Sequence, residues 1–159
     1  MSTFIHLKGS RKLGLMDVLK RFKVSYYPSG KGAVELVLYF DTGSFYTFIK
    51  RSSALKLGRS MELPEPELFG GLGEGSFYSK EVILLHVKLL EFWCRQLAYV
   101  VEDEVLEPGY DVLAGHGFMQ GYGIKLLPEK GDIEIDETRL RLAQRIRCSF
   151  GGSRNSVVS

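Results

Sequence analysis

The sequence predicts an all-β domain carrying one or two short helices. Three observations point there. Ala33 to Phe40 is a nearly continuous apolar run dense in β-formers, which reads as a buried strand. Ser79 to Val101 contains Val82, Ile83, Val87, Phe92, Trp93, Tyr99, Val100 and Val101. Those residue types favour strands, although the stretch also suits a helix and periodicity alone does not decide. Gly- and Pro-containing turns at 28–32, 70–75 and 108–109 separate the apolar runs.

Taken in order, Gly14 to Phe22 reads as about two helical turns, with Leu15, Val18, Leu19 and Phe22 at helical spacing. A turn at Pro28 to Gly32 leads into the apolar strand, which ends at Asp41. Ser52 and Ser53 suit the cap of a short helix that Gly58 terminates. Met61 to Leu68, with Pro64 and Pro66, reads as an extended loop. Gly70 to Gly75 holds four glycines in six positions, the composition of a turn or hairpin tip. The 79–101 stretch follows, with a turn near Glu91 and Phe92. Strands are expected around Ile124–Leu127 and Ile133–Ile135, and a helix over Thr138–Ile146.

The 159 residues, 45% hydrophobic and 25% charged, suit one globular domain and exclude a collagen-like, low-complexity or wholly disordered chain. Val82 to Val101 is the most apolar long stretch, but His86, Lys88, Glu91 and Arg95 interrupt it, so no membrane span is expected. Met1 to Lys12 has no apolar core, so no secretory signal is expected. Cys94 and Cys148 make no disulfide framework, and a reducing, cytoplasmic setting is expected. His6, His86 and His116 show no metal-ligand spacing. No metal or cofactor is expected.

The net charge of +2 hides a division: residues 1–31 carry +6, residues 32–136 carry −8 and residues 137–159 carry +4. The chain is accordingly divided into a basic N-terminal extension (1–31), a central domain (32–136) and a basic C-terminal tail (137–159). The basic ends read as solvated rather than as a nucleic-acid patch.

One stretch carries candidate chemistry. An apolar strand delivers Asp41, followed by Thr42, Gly43 and Ser44, with Thr47 six residues after the Asp. About thirty residues on lies the glycine-rich 70–75 stretch. About seventy residues on, Asp111-Val-Leu-Ala-Gly115 sets an apolar pair before a Gly. This ordered set resembles the retropepsin-like aspartic proteases, the single-lobe family that includes retroviral proteases and their cellular relatives. The resemblance covers about two-thirds of the chain, from Ala33 to Ile135.

The resemblance implies a closed, barrel-like sheet with a flap hairpin, and an endopeptidase in which Asp41, Thr42 and Gly43 form the catalytic loop. It makes Gly71, Leu72 and Gly73 the flap tip over a bound peptide. It places Leu113, Ala114 and Gly115 in a strand beside the catalytic loop, with Phe118 and Met119 opening a short helix. Ser44, Phe45, Gly71, Leu72, Gly73, Leu113, Ala114 and Gly115 are the implied substrate-binding set. Retroviral members often carry an acidic residue where Phe45 stands and an Arg where His116 stands, so the ion pair that braces their site is missing or replaced here.

The chemistry of such a site needs two carboxylates sharing one proton and one water. Close like charges do not both ionise readily, so the pair titrates as a unit. The ionised partner takes a proton from water and the protonated partner polarises the peptide carbonyl. This chain has a single Asp-Thr-Gly. Given the family mechanism, the second aspartate comes from another copy, and a symmetric homodimer acting on a peptide or protein is expected. A dimeric peptide-binding or scaffolding module of the same fold is the alternative.

Overall fold

The computed structural model describes residues 16–70 and 75–145. The elements are β1 (Val18–Ser25), β2 (Val34–Asp41), β3 (Phe48–Lys50), α1 (Arg51–Leu57), β4 (Met61–Gly70), β5 (Ser76–Leu89), β6 (Phe92–Val101), β7 (Val112–Gly115), α2 (His116–Tyr122), β8 (Ile124–Leu127) and β9 (Asp132–Ile135). A last helix, α3, covers 137–145 of the described residues. None of the described helices is long and apolar enough to cross a membrane.

Six strands close a barrel in the order β1-β2-β7-β3-β6-β5, and β1 returns to β5 through Val24 opposite Val87 and Ser25 opposite His86. β4 lies outside the barrel, hydrogen-bonded to β5. β8 and β9 form a separate hairpin.

β1 corrects the helix expected at its position. The apolar β2 needs partners on both edges, and β1 supplies one, pairing antiparallel from Val18 opposite Phe40 to Val24 opposite Val34. Alternation then turns Val18, Phe22 and Val24 to one face. Val18 and Val24 are buried, and the Phe22 ring meets Phe40 edge-on at 5.9 Å. Tertiary pairing outweighs a helical spacing only two turns long.

This also corrects the domain division. β1 lies within the expected N-terminal extension, yet it closes the barrel. At the other end, α3 lies within the expected tail, yet Leu140 is fully buried in the main core. Asp136 caps α3, its Oδ1 accepting the Arg139 N–H at 3.1 Å. The N-terminal end therefore supplies a strand of the barrel, and the C-terminal end a helix that packs into its core.

α1 ends at Gly58 as expected, with the Gly58 N–H donating to the Ala54 carbonyl at 3.2 Å. Its start differs: Lys50 is the N-cap and its own side chain makes no capping bond, but Asp103 Oδ1 accepts the Ser52 N–H at 3.1 Å. Ser53 is buried, and its hydroxyl donates to Asp111 Oδ1 at 2.8 Å. The other Asp111 oxygen accepts the Val37 N–H at 2.8 Å. One carboxylate thus ties α1 to β2.

β4 is a strand where the prolines suggested a loop. It is the edge of the sheet, where a missing N–H costs least. Its register with β5 shifts between Glu62 and Glu67, the interval that holds both prolines. β5 and β6 form the hairpin that the 79–101 residue types favoured, pairing from Glu81 opposite Val100 to Leu89 opposite Phe92. Leu90 turns the chain with φ 54°.

Two buried clusters result. The larger fills the barrel and includes Leu36, Leu38, Ile83, Leu85 and Phe118. The smaller contains Phe48, Phe69, Phe77 and Leu113 and roots the β4–β5 hairpin.

Candidate active site

Asp41 is the last residue of β2 and is 6% exposed. The chain turns at once: the Gly43 N–H donates to Asp41 Oδ1 at 2.8 Å and the Ser44 N–H to the Asp41 carbonyl at 3.3 Å. The carboxylate is oriented by its own loop. Thr42 is exposed, beside it.

β7 supports this loop from below. It runs parallel to β2, with Asp41 opposite Gly115, and antiparallel to β3. A strand wedged between the two ends of the Asp-Thr-Gly loop must come very close to it. A Cβ on Gly115 would stand 2.2 Å from the Tyr46 carbonyl oxygen and 2.6 Å from that of Phe45. Only glycine fits.

The brace expected from an acid–arginine ion pair is made here by backbone. The His116 N–H donates to the Ser44 carbonyl at 2.5 Å, and the Gly117 N–H to the Phe45 carbonyl at 3.0 Å. The Gly115 N–H donates to Thr47 Oγ1 at 3.2 Å. The amides that open α2 are thereby satisfied by the loop. Phe45 and His116 can then differ from the retroviral pattern without loosening it.

Several residues expected to touch substrate do not face outward. Leu113 and Ala114 are fully buried, because β7 is paired on both edges and packed on both faces. The buried Ser44 turns its hydroxyl to the Tyr46 carbonyl at 2.8 Å. Gly115 is buried under Phe45 and Tyr46. These four shape the loop. Phe45, by contrast, is 60% exposed. Gly71, Leu72 and Gly73 lie outside the described residues, but Gly70 pairs with Ser76 across the hairpin that leads to them.

The hairpin's root is aromatic. Phe69 on β4 meets Phe48 at 4.8 Å, Tyr99 at 4.9 Å, Tyr46 at 5.5 Å and Phe77 at 5.5 Å between ring centroids. Tyr46, Phe69 and Tyr99 were not expected at the site, and the sequence marked Tyr99 only as a strand former. The only available signal was the adjacency of Tyr46 to the Asp-Thr-Gly loop.

Charge anchors the same root. Glu81 on β5 takes the Ser60 hydroxyl and the Arg51 guanidinium, and Arg51 also donates to Glu102 at 2.9 Å. The Ser60 hydrogen bond, with Arg51 adding to it, holds the Glu81 carboxyl below its ordinary value of 4.5. The anchor's contribution is therefore complete above about pH 4.5 and is lost as pH falls through the depressed folded value. Wild type should lose melting temperature more steeply than Glu81→Gln between about pH 6 and pH 2. Parallel melting curves for the two proteins would contradict this.

A second polar group lies at the far end of β3. The Lys50 ammonium donates to the Glu107 carbonyl at 2.8 Å, and the Tyr110 hydroxyl to Glu107 Oε1 at 3.0 Å. Burial lowers the Lys50 value against the pull of Asp103, Asp111 and Glu107, and burial pushes the Tyr110 phenol up. These groups fasten the loop before β7.

No protein-family model matches the chain, and no curated protein matches it in sequence. A solved structure is similar to it in fold: the retroviral protease-like domain of Ddi1 from Leishmania major, at 16% identity and a TM-score of 0.51. The match covers 75% of this chain and 89% of that one. At that identity the likeness concerns the fold. A six-stranded closed barrel, an outlying β4–β5 hairpin and a β7 inserted between β2 and β3 make this a retropepsin-like fold.

Proposed function

We propose that this protein is an aspartic endopeptidase that acts as a homodimer. The observation that carries the reading is the placement of Asp41. It stands at a strand end, oriented by the Gly43 amide and supported by a glycine that admits the neighbouring backbone. One chain brings one such aspartate. A two-fold axis beside the exposed Thr42 would set Asp41 against its own copy. The pair would share a proton, one carboxylate acting as base toward water and the other as acid toward the peptide carbonyl. Thr42 and Gly43 would shape the loop, and the β4–β5 hairpin would cover an extended peptide held as an added strand. The cytoplasm is the compartment that suits this chain's cysteines.

The purified protein should cleave members of a diverse peptide library between about pH 3 and 7, the range for a coupled carboxylate pair. Its specific activity should fall on dilution, as active dimers dissociate. A chain that forms dimers and binds peptides but cleaves none across that range would instead be the non-catalytic module.

A further inference from the structure

The loop after Asp41 and the root of the β4–β5 hairpin present a surface that the catalytic chemistry does not use. Phe45 is 60% and Tyr46 45% exposed, and their rings meet edge-on at 5.4 Å. Tyr46 continues the surface to Phe69 at 5.5 Å and Tyr99 at 5.7 Å. An aromatic shelf therefore runs from the aspartate loop to the hairpin.

A carboxylate overlooks that shelf. Glu67 is exposed and lies two residues before Phe69 on β4. Strand alternation puts both on one face, and Phe69 shows that this face turns toward Tyr46 and Tyr99. Glu67 also acts on the half-buried Tyr99 phenol: burial first, and then the Glu67 charge, raises the Tyr99 value. Glu62, Glu65 and Glu67 are the only charged residues of β4, so the strand is wholly acidic in its charges.

Aromatic faces attract cations through their quadrupole, and a carboxylate nearby adds a counter-charge. We infer that Phe45, Tyr46 and Glu67 form a subsite for the cationic side chain of a lysine or arginine in an extended peptide. The aliphatic stem lies across the Phe45 and Tyr46 rings and the charged head reaches Glu67. The inference rests on the endopeptidase reading only for what happens to the peptide afterwards. Glu67 sets the sign of the preference and the two rings set its shape.

The test uses the full chain carrying Asp41→Asn, so that peptides bind without being cut. Labelled extended peptides place arginine at each position in turn, and a matched series replaces it by neutral citrulline. Fluorescence anisotropy should show arginine favoured over citrulline at one position by about five- to tenfold at low salt. The preference should shrink as salt screens the charge. Glu67→Gln, on an exposed side chain, should abolish it. Tyr46→Leu should weaken it and Tyr46→Phe should restore it. Equal affinities at every position, a preference that survives Glu67→Gln, or failure of all the peptides to bind overturns the subsite. Cleavage by wild type is measured in parallel. A preference without cleavage keeps the subsite and removes the endopeptidase reading, whereas cleavage with no preference does the reverse.

Discussion

Asp41→Asn is expected to reduce kcat/KM for peptide cleavage by at least about 10³-fold, the scale of a lost general acid–base group. The substitution keeps the shape of the side chain, and its Oδ1 can still accept the Gly43 N–H that sets the loop at 2.8 Å. The melting temperature should therefore change little. What is lost is ionisation. In a symmetric dimer both carboxylates disappear together, so no partner is left to act as base or acid. Mixing variant with wild type adds a sharper measurement. Exchange of subunits makes heterodimers with one carboxylate, and activity should fall below the wild-type fraction present. Undiminished cleavage by the variant would show that the hydrolysis comes from elsewhere.

Gly115→Ala should be the most damaging small substitution near the site. The added methyl would meet two carbonyl oxygens, those of Tyr46 and Phe45, at 2.2 and 2.6 Å. Neither is the end of a flexible side chain, so the strand or the loop must move. Overpacking of this kind costs about 3 kcal/mol, or a fall of about 6–12 °C in melting temperature for a chain of this size. Displacing β7 also disturbs the hydrogen bonds from Gly115 to Thr47 and from His116 to Ser44. Activity should be lost even where the protein stays folded. Gly121→Ala is the matched control. Gly121 lies within α2, and a Cβ there meets nothing within 4 Å. Replacing an exposed helical glycine should stabilise by about 0.5–1 kcal/mol. If both variants melt together with wild type, the close approach at Gly115 is not what holds the loop.

The candidate site was legible where its signal was local. The apolar run ending in Asp41-Thr-Gly43 identifies a buried strand and the turn that follows, and β2 and its loop have that form. The Leu113-Ala-Gly115 motif identified a neighbouring strand, but not which way its side chains face. Leu113 and Ala114 were expected beside substrate and are fully buried. Their burial follows from pairing with both β2 and β3, and such pairing spans some seventy residues of sequence. Phe69 and Tyr99 were missed for the same reason. They meet at 4.9 Å across thirty residues, and neither carries a motif.

β1 and β4 show the opposite limit. Leu15, Val18, Leu19 and Phe22 fit a short helix as well as they fit a strand. The free edges of β2 and β5 decide, because β1 pairs with both. Pro64 and Pro66 argued against a strand, yet β4 tolerates them as an outer edge with a shifted register.

By itself, then, the sequence determined a mainly β domain and a single Asp-Thr-Gly loop at a strand end. Those features rest on neighbouring residues: β-formers in a run, a turn-forming triplet and a motif that occurs once. Only the tertiary structure decided that β1, before the expected boundary, closes the barrel and that α3, after it, packs into the core. It alone showed a backbone brace in place of the ion pair and an aromatic shelf beside an acidic β4. These features depend on which strand edges and which aromatic faces meet, and burial of apolar surface between distant segments is what brings them together.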